Sequence, residues 1–193
     1  MSEETFSERM IRVQRITPDC TYRVDWGMAR IPQFLVQYNI DMDPDYQRGY
    51  VWTKKQKQLF VGSAIQNHHA IPIFWFNFGP GGIHSKVTEV VDGKQRLTAI
   101  LDWLAGKFEA ICPCGETFHY HECDDIARRG LMMNTTFRMH FTTLDRLGVL
   151  KHYLSLNAGG TVHKPKDLEK VRELIRELER IKVSDDSHPL PWN

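Results

Sequence analysis

No apolar run in the sequence approaches the roughly 18 residues that a membrane-crossing helix needs. The opening MSEETFSERM is acidic and polar where a secretion signal would be basic and then apolar. A cytoplasmic protein with no membrane partner is therefore expected. An excess of one charge is missing too: 25 Lys and Arg stand against 24 Asp and Glu, so any nucleic-acid footprint has to be a local patch. Cysteine is scarce, with four in 193 residues. Three of them, Cys112, Cys114 and Cys123, crowd into one short stretch, which favours metal ligation or free thiols over a disulfide framework. Internal repeats and low-complexity tracts are absent, which removes the solenoid and linker readings. What is present is an ordinary globular composition, 41% hydrophobic and 25% charged, able to bury a core as one compact domain or two small ones.

Proline and glycine punctuate the rest. A short helix enters at Pro32, since proline is tolerated in a first turn. Residues 38–52 are turn-rich and read as a functional loop, with Asp43-Pro44-Asp45 opposing helix. Thr53 caps a helix over 54–67. Residues 71–78, dense in aromatic and β-branched side chains, and 86–91 form a hairpin around Gly79–Gly82. At Asp92-Gly93 the period turns helical, with Leu97, Ile100, Leu101 and Leu104 on one face. A strand over 137–144, a helix over 146–157 and a last helix from about Pro165 to Lys182 complete an α+β pattern. On that last helix Lys and Arg interleave with Glu, a solvated face or a DNA-backbone contact.

Residues 89–98, EVVDGKQRLT, concentrate the chemistry. A strand that ends in Asp-Gly and starts a helix aims unpaired N–H groups and the positive helix end at one spot, an anion site. Lys94 and Arg96 add charge there, and arginine can grip a phosphate through two hydrogen bonds. Asp92 could hold Mg²⁺ or orient an attacking hydroxyl. Taken alone, the segment equally fits a capped helix with solvated charges. The 43–52 loop brings a second arginine, Arg48, with Gln47, two carboxylates and Trp52, and by itself also fits a surface turn anchored by that tryptophan.

In order, Pro44-Asp45-Tyr46-Gln47-Arg48 with Trp52, Ala70-Ile71-Pro72-Ile73, the VVDGKQRLTAI run of residues 90–100 and the LSLNAGG run of 154–160 resemble the ParB/sulfiredoxin-like domain at the N-terminus of GmrSD-type, modification-dependent restriction enzymes. The likeness spans about residues 30–170. It implies a small mixed sheet with flanking helices over 30–163, an N-terminal extension over 1–29 and a C-terminal helix and tail over 164–193. It also implies nucleotide binding at a DGQQR-like turn, with Lys94 standing where the family more often has glutamine. Gly93, Lys94, Gln95, Arg96, Thr98, Gln47 and Arg48 would hold a nucleoside triphosphate (ATP, GTP or CTP) with Mg²⁺. Asp92, Arg96 and Arg48 would be catalytic, and Asp45, Tyr46, Tyr50, Trp52 and Asn157 would meet the substrate. Relatives of the fold include CTP-hydrolysing DNA clamps, ATP-using sulfinic acid reductases and free-serine kinases, so phosphate chemistry is the common theme. Restriction enzymes of this kind carry an HNH-type nuclease domain after this one. With the sequence ending at Asn193, the expectation is a phosphotransferase acting on DNA, with a kinase of a hydroxymethylated pyrimidine in phage DNA as its specific form. The alternatives are an NTPase or nuclease module of a restriction system, or a non-catalytic module that binds DNA or a modified base. The setting would be a bacterial or phage-infected cytoplasm.

Cys112, Cys114, His119, His121 and Cys123 are five soft donors close in sequence. A turn over 113–115 followed by a strand could gather Cys112, Cys114, one histidine such as His119, and Cys123 around a structural Zn²⁺. The single residue between the first two cysteines is shorter than usual, and thiols and imidazoles without metal are the other reading.

Overall fold

The computed structural model describes residues 22–66, 72–157 and 165–186. Its strands are β1 (Tyr22–Gly27), β2 (Ile40–Asp41), β3 (Ile73–Asn77), β4 (Thr88–Asp92), β5 (Ala110–Ile111), β6 (Thr117–Phe118) and β7 (Thr136–Thr142). Its α-helices are α1 (Ile31–Gln37), α2 (Lys54–Gln66), α3 (Lys94–Leu104), α4 (Asp125–Met133), α5 (Arg146–Asn157) and α6 (Pro165–Asp186). Five strands form one mixed sheet in the order β1-β7-β3-β4-β2. The β1/β7 and β3/β4 pairs are antiparallel, and β7/β3 and β4/β2 are parallel. The α+β class expected from the sequence holds, as does the β3–β4 hairpin.

Both faces of this sheet are covered where β4 runs. Period-two alternation sends Phe74 and Phe76 of β3 and Phe137, Met139 and Phe141 of β7 to one face. There they pack with Phe34 of α1, Val61 of α2 and Leu97, Ile100 and Trp103 of α3. On the other face Val91 joins Val149, Leu150 and Tyr153 of α5 and Val171 and Ile175 of α6. Val90 belongs to the first core and Val91 to the second, which is why two consecutive apolar residues stand next to each other in β4, as expected of a strand buried on both sides.

The strand-to-helix turn after β4 requires glycine. Gly93 has φ +110°, and a Cβ there would sit 2.3 Å from Cδ1 of the buried Phe74 ring. α2 opens on a reciprocal cap: Gln56 Oε1 accepts from the Thr53 N–H at 2.8 Å, and Thr53 Oγ1 accepts from the Gln56 N–H at 3.3 Å.

Several elements depart from the sequence pattern. α4 was unassigned because only Leu131 of its apolar residues is buried, while Ile126 and Met133 are exposed. β1 precedes the short helix expected at Pro32 and β2 lies within the 38–52 segment read as a loop, and the sequence pattern marks neither as a strand. Past β6, a 3₁₀ turn over Tyr120–Glu122 replaces the expected strand at His119 and His121, because Glu122 folds back to accept the His119 N–H. Residues 70–71 and 158–160 of the motifs lie outside the described residues.

Candidate functional site

A cleft of about 340 Å³ opens where three pieces of chain meet, within the range of ~300–1,000 Å³ typical of small-molecule sites. The loop before α2 contributes Gln47, Arg48 and Trp52, the β4–α3 turn contributes Val91 to Arg96, and α5 contributes Tyr153, Leu156 and Asn157. Of the residues singled out from the sequence, Asp92, Gly93, Lys94, Gln95, Arg96, Gln47, Arg48, Trp52 and Asn157 are gathered here.

The turn supplies the polar floor. α3 starts at Lys94 with no side-chain cap among the described residues, and its first intrahelical bond runs from the Leu97 N–H to the Gly93 carbonyl at 2.8 Å. The N–H groups of Lys94, Gln95 and Arg96 precede that bond, so they are the orphan donors of the helix, beside the positive end of its dipole. Arg96 forms an ion pair with Asp92 one turn back, and its guanidinium lies over the Phe74 ring, 4.9 Å from the centroid. Arg48 has no carboxylate partner among the described residues.

Three residues expected to touch nucleotide instead hold the loop in place. Gln47 donates from Nε2 to the carbonyls of Val90 and Val91, both at 2.8 Å. Gln95 Oε1 accepts from the N–H groups of Val51 at 2.9 Å and Trp52 at 3.3 Å, and its Nε2 donates to the Gly49 carbonyl at 3.2 Å. Lys94 is 8% exposed. Its ammonium pairs with Asp43 and donates to the Arg48 carbonyl at 3.1 Å. The three side chains pin residues 43–52 against β4 and α3, so that Arg48 and Trp52 border the turn.

The other expected contacts divide between the cleft wall and its surroundings. Tyr46 is 2% exposed in the second core, against Tyr153, with its hydroxyl 3.3 Å from Glu89 Oε2. Burial and the neighbouring Glu89 push its phenol well above the usual range, and burial likewise raises Glu89 despite Arg146 nearby. Asp45 faces away, paired with Arg146 and accepting at its carbonyl from Lys170 at 2.6 Å. Thr98 bonds the Lys94 carbonyl on its own helix at 2.9 Å. Tyr50 lies under the Lys57 ammonium, 4.5 Å from its ring centroid, and burial raises its phenol. Trp52 is the aromatic on the cleft wall, with one side packed edge-on against Phe60 at 5.3 Å. Asn157 bonds back to the Tyr153 carbonyl at 2.7 Å.

Sequence reading missed Tyr153. It is buried under the cleft, its phenol is raised by desolvation, and its hydroxyl is bonded to the Arg48 backbone. A tyrosine among the leucines of α5 gave little sign of this.

The cysteine and histidine residues sit apart, in and after the β5–β6 hairpin. The Cys112 and Cys114 thiols contact each other, the His119 and His121 rings stack at 4.9 Å, and Cys123 Sγ points to the His119 carbonyl at 3.9 Å. Among the described residues no three His, Cys, Asp or Glu side chains come together to hold a metal ion. No helix among them is long and apolar enough to cross a membrane.

The model of the GmrSD restriction endonuclease N-terminal domain matches residues 31–189, and the chain belongs to that family. Neither a curated protein nor a solved structure matches it.

Proposed function

We propose that this member of the GmrSD N-terminal family, a restriction-system module, binds a nucleoside triphosphate in the cleft and moves or hydrolyses its terminal phosphate in a reaction coupled to DNA. The observation that carries the reading is the convergence of Arg48, Arg96, Asp92 and the first three N–H groups of α3, which have no partner among the described residues, on one cleft. A hydrophobic ligand would gain nothing from that set, whereas a polyphosphate matches it group by group.

The chain's own residues divide the work. The α3 N–H groups receive phosphate oxygens, and Arg48 adds charge from the facing loop. Arg96 is held ready by Asp92, and on binding it exchanges that carboxylate for a phosphate oxygen. Asp92, then freed, is the carboxylate in the cleft able to ligate Mg²⁺, an ion commonly held by one or two carboxylates together with substrate phosphates. The ion would neutralise developing charge on the phosphoryl group. Trp52 offers a flat surface to a base. Gln47, Gln95 and Lys94 fix the distance between the two arginine-bearing segments, which in-line transfer requires.

Transfer to the hydroxymethyl group of a modified pyrimidine is the specific form we favour for a DNA acceptor, and family membership also supports hydrolysis coupled to restriction. The test incubates the protein with γ-labelled ATP, GTP or CTP, Mg²⁺, and plain or hydroxymethylpyrimidine DNA. Label in the modified DNA identifies a kinase, and free phosphate identifies an NTPase. Neither product, with nucleotide bound, leaves a binding module, and absence of nucleotide binding rejects the site.

A further inference from the structure

The first turn of α2 carries Lys54, Lys55 and Lys57 and no acidic residue. Cations at a helix N-terminus oppose the dipole, and the reciprocal cap here uses Gln56 where a glutamate would have offset the charge. Lys57 is neutralised by Asp102 at 2.6 Å. Lys54 and Lys55 are exposed and have no carboxylate partner among the described residues. Three basic residues of α6 differ: Arg172 and Arg176 both pair with Glu169, and Lys170 bonds the Asp45 carbonyl. An uncompensated cluster that works against its own helix is the kind of local inconsistency that functional sites retain.

Its position says what it serves. Lys54 follows Trp52 by two residues, and Trp52 and Arg48 both line the cleft. Val51, between them, is exposed. Arg48, Trp52, Lys54 and Lys55 therefore follow one another along a strip of chain that leaves the cleft at Trp52 and continues into the exposed first turn of α2, with cations before and after the aromatic residue in sequence. Alternating backbone-neutralising charges and a stacking surface is the recognition chemistry of single-stranded nucleic acid.

We propose that a single DNA strand runs along this strip, its phosphates on Lys54 and Lys55 and one base against Trp52, and so enters the cleft at the Arg48 side. The proposal rests on the preceding reading for what happens in the cleft, but not for the strand path itself.

The test measures binding of 5′-fluorescein-labelled (dT)₂₀ by anisotropy across a salt series, for the wild-type chain, Lys54→Gln, Lys55→Gln and the double variant. Binding of a fluorescent ATP analogue is measured separately. The double variant should bind the oligonucleotide on the order of 10-fold or more weakly, with a log K against log salt slope shallower by about 1.4, since each phosphate contact on a single strand contributes ~0.7. Each single variant should show about half the slope change. The melting temperature should stay at or above the wild-type value, because two charges unfavourable to the helix are gone. Unchanged oligonucleotide affinity and slope in the double variant overturn the strand path, whatever the nucleotide result. Loss of oligonucleotide binding as expected, in a wild-type protein that binds no nucleotide, upholds the path and rejects the nucleotide site.

Discussion

Lys94 and Asp43, 51 residues apart, form the ion pair that ties the 43–52 loop to the first residue of α3. The ammonium is buried while the carboxylate is mostly exposed, so the lysine carries most of the desolvation and depends on its partners. Lys94→Met should loosen the loop and cost about 1–2 kcal/mol in urea unfolding, the scale of one charge-assisted hydrogen bond with a solvent-exposed partner. Lys94→Gln retains a donor toward the Arg48 carbonyl and should cost less. Equal stability of all three proteins would show that the pair contributes nothing to holding the loop.

Gly93→Ala should be among the most damaging single-atom changes. It places a side chain at φ +110° and drives its Cβ into the Phe74 ring, for a combined loss of about 2–4 kcal/mol. Gly49→Ala, where nothing among the described residues lies within 4 Å of the added carbon, is the matched control and should unfold near the wild-type midpoint. Denaturant midpoints for the two variants decide the matter.

Arg96→Ala removes a phosphate partner and should lower turnover on the order of 100-fold or more, equivalent to about 3 kcal/mol. Asp92→Asn keeps the size of the side chain, so the protein should fold while metal-dependent turnover fails. Unchanged nucleotide affinity and turnover in Arg96→Ala would remove the phosphate site from this turn. Full activity in Asp92→Asn would remove the carboxylate from the reaction.

The β4–α3 turn was legible because its logic is local: an apolar strand, Asp-Gly, then a helical period. The uses of the side chains around it were not. Gln47, Lys94 and Gln95 looked like ligand-binding groups because they are polar and close to the motif, yet their bonds reach residues more than 40 positions away in the chain. Tyr46 was expected to meet the substrate, and it packs in the second core with residues of α5 and α6. Periodicity reports which face of an element is apolar, not which loop will close over it.

The cysteine and histidine region offers a direct check on metal. Because Cys112 with Cys114 and His119 with His121 form separate pairs, a chelator should leave the melting temperature unchanged and release no stoichiometric zinc. Loss of one zinc per chain together with a lower melting temperature would establish the four-ligand site instead, since structural metal binding is part of the folding free energy.

His140 on β7 should make stability depend on pH. It is 7% exposed, and among the described residues neither ring nitrogen has a hydrogen-bond partner. Its ring packs edge-on against Trp75 at 4.7 Å. Burial, then Arg23 and Arg138, hold its pKa below the usual value, and Asp25 opposes them weakly. A base with a depressed folded pKa is stabilising while neutral. The contribution is therefore fully present above the unfolded value of about 6.5. It is lost as pH falls from there toward the folded value, because the unfolded chain takes up the proton first, with a slope of at most ~1.4 kcal/mol per pH unit. Urea midpoints measured from pH 7.5 down to 5 should fall for the wild-type chain and fall less for His140→Phe, which keeps the aromatic contact with Trp75. Parallel curves for the two proteins would assign the acid sensitivity to other groups.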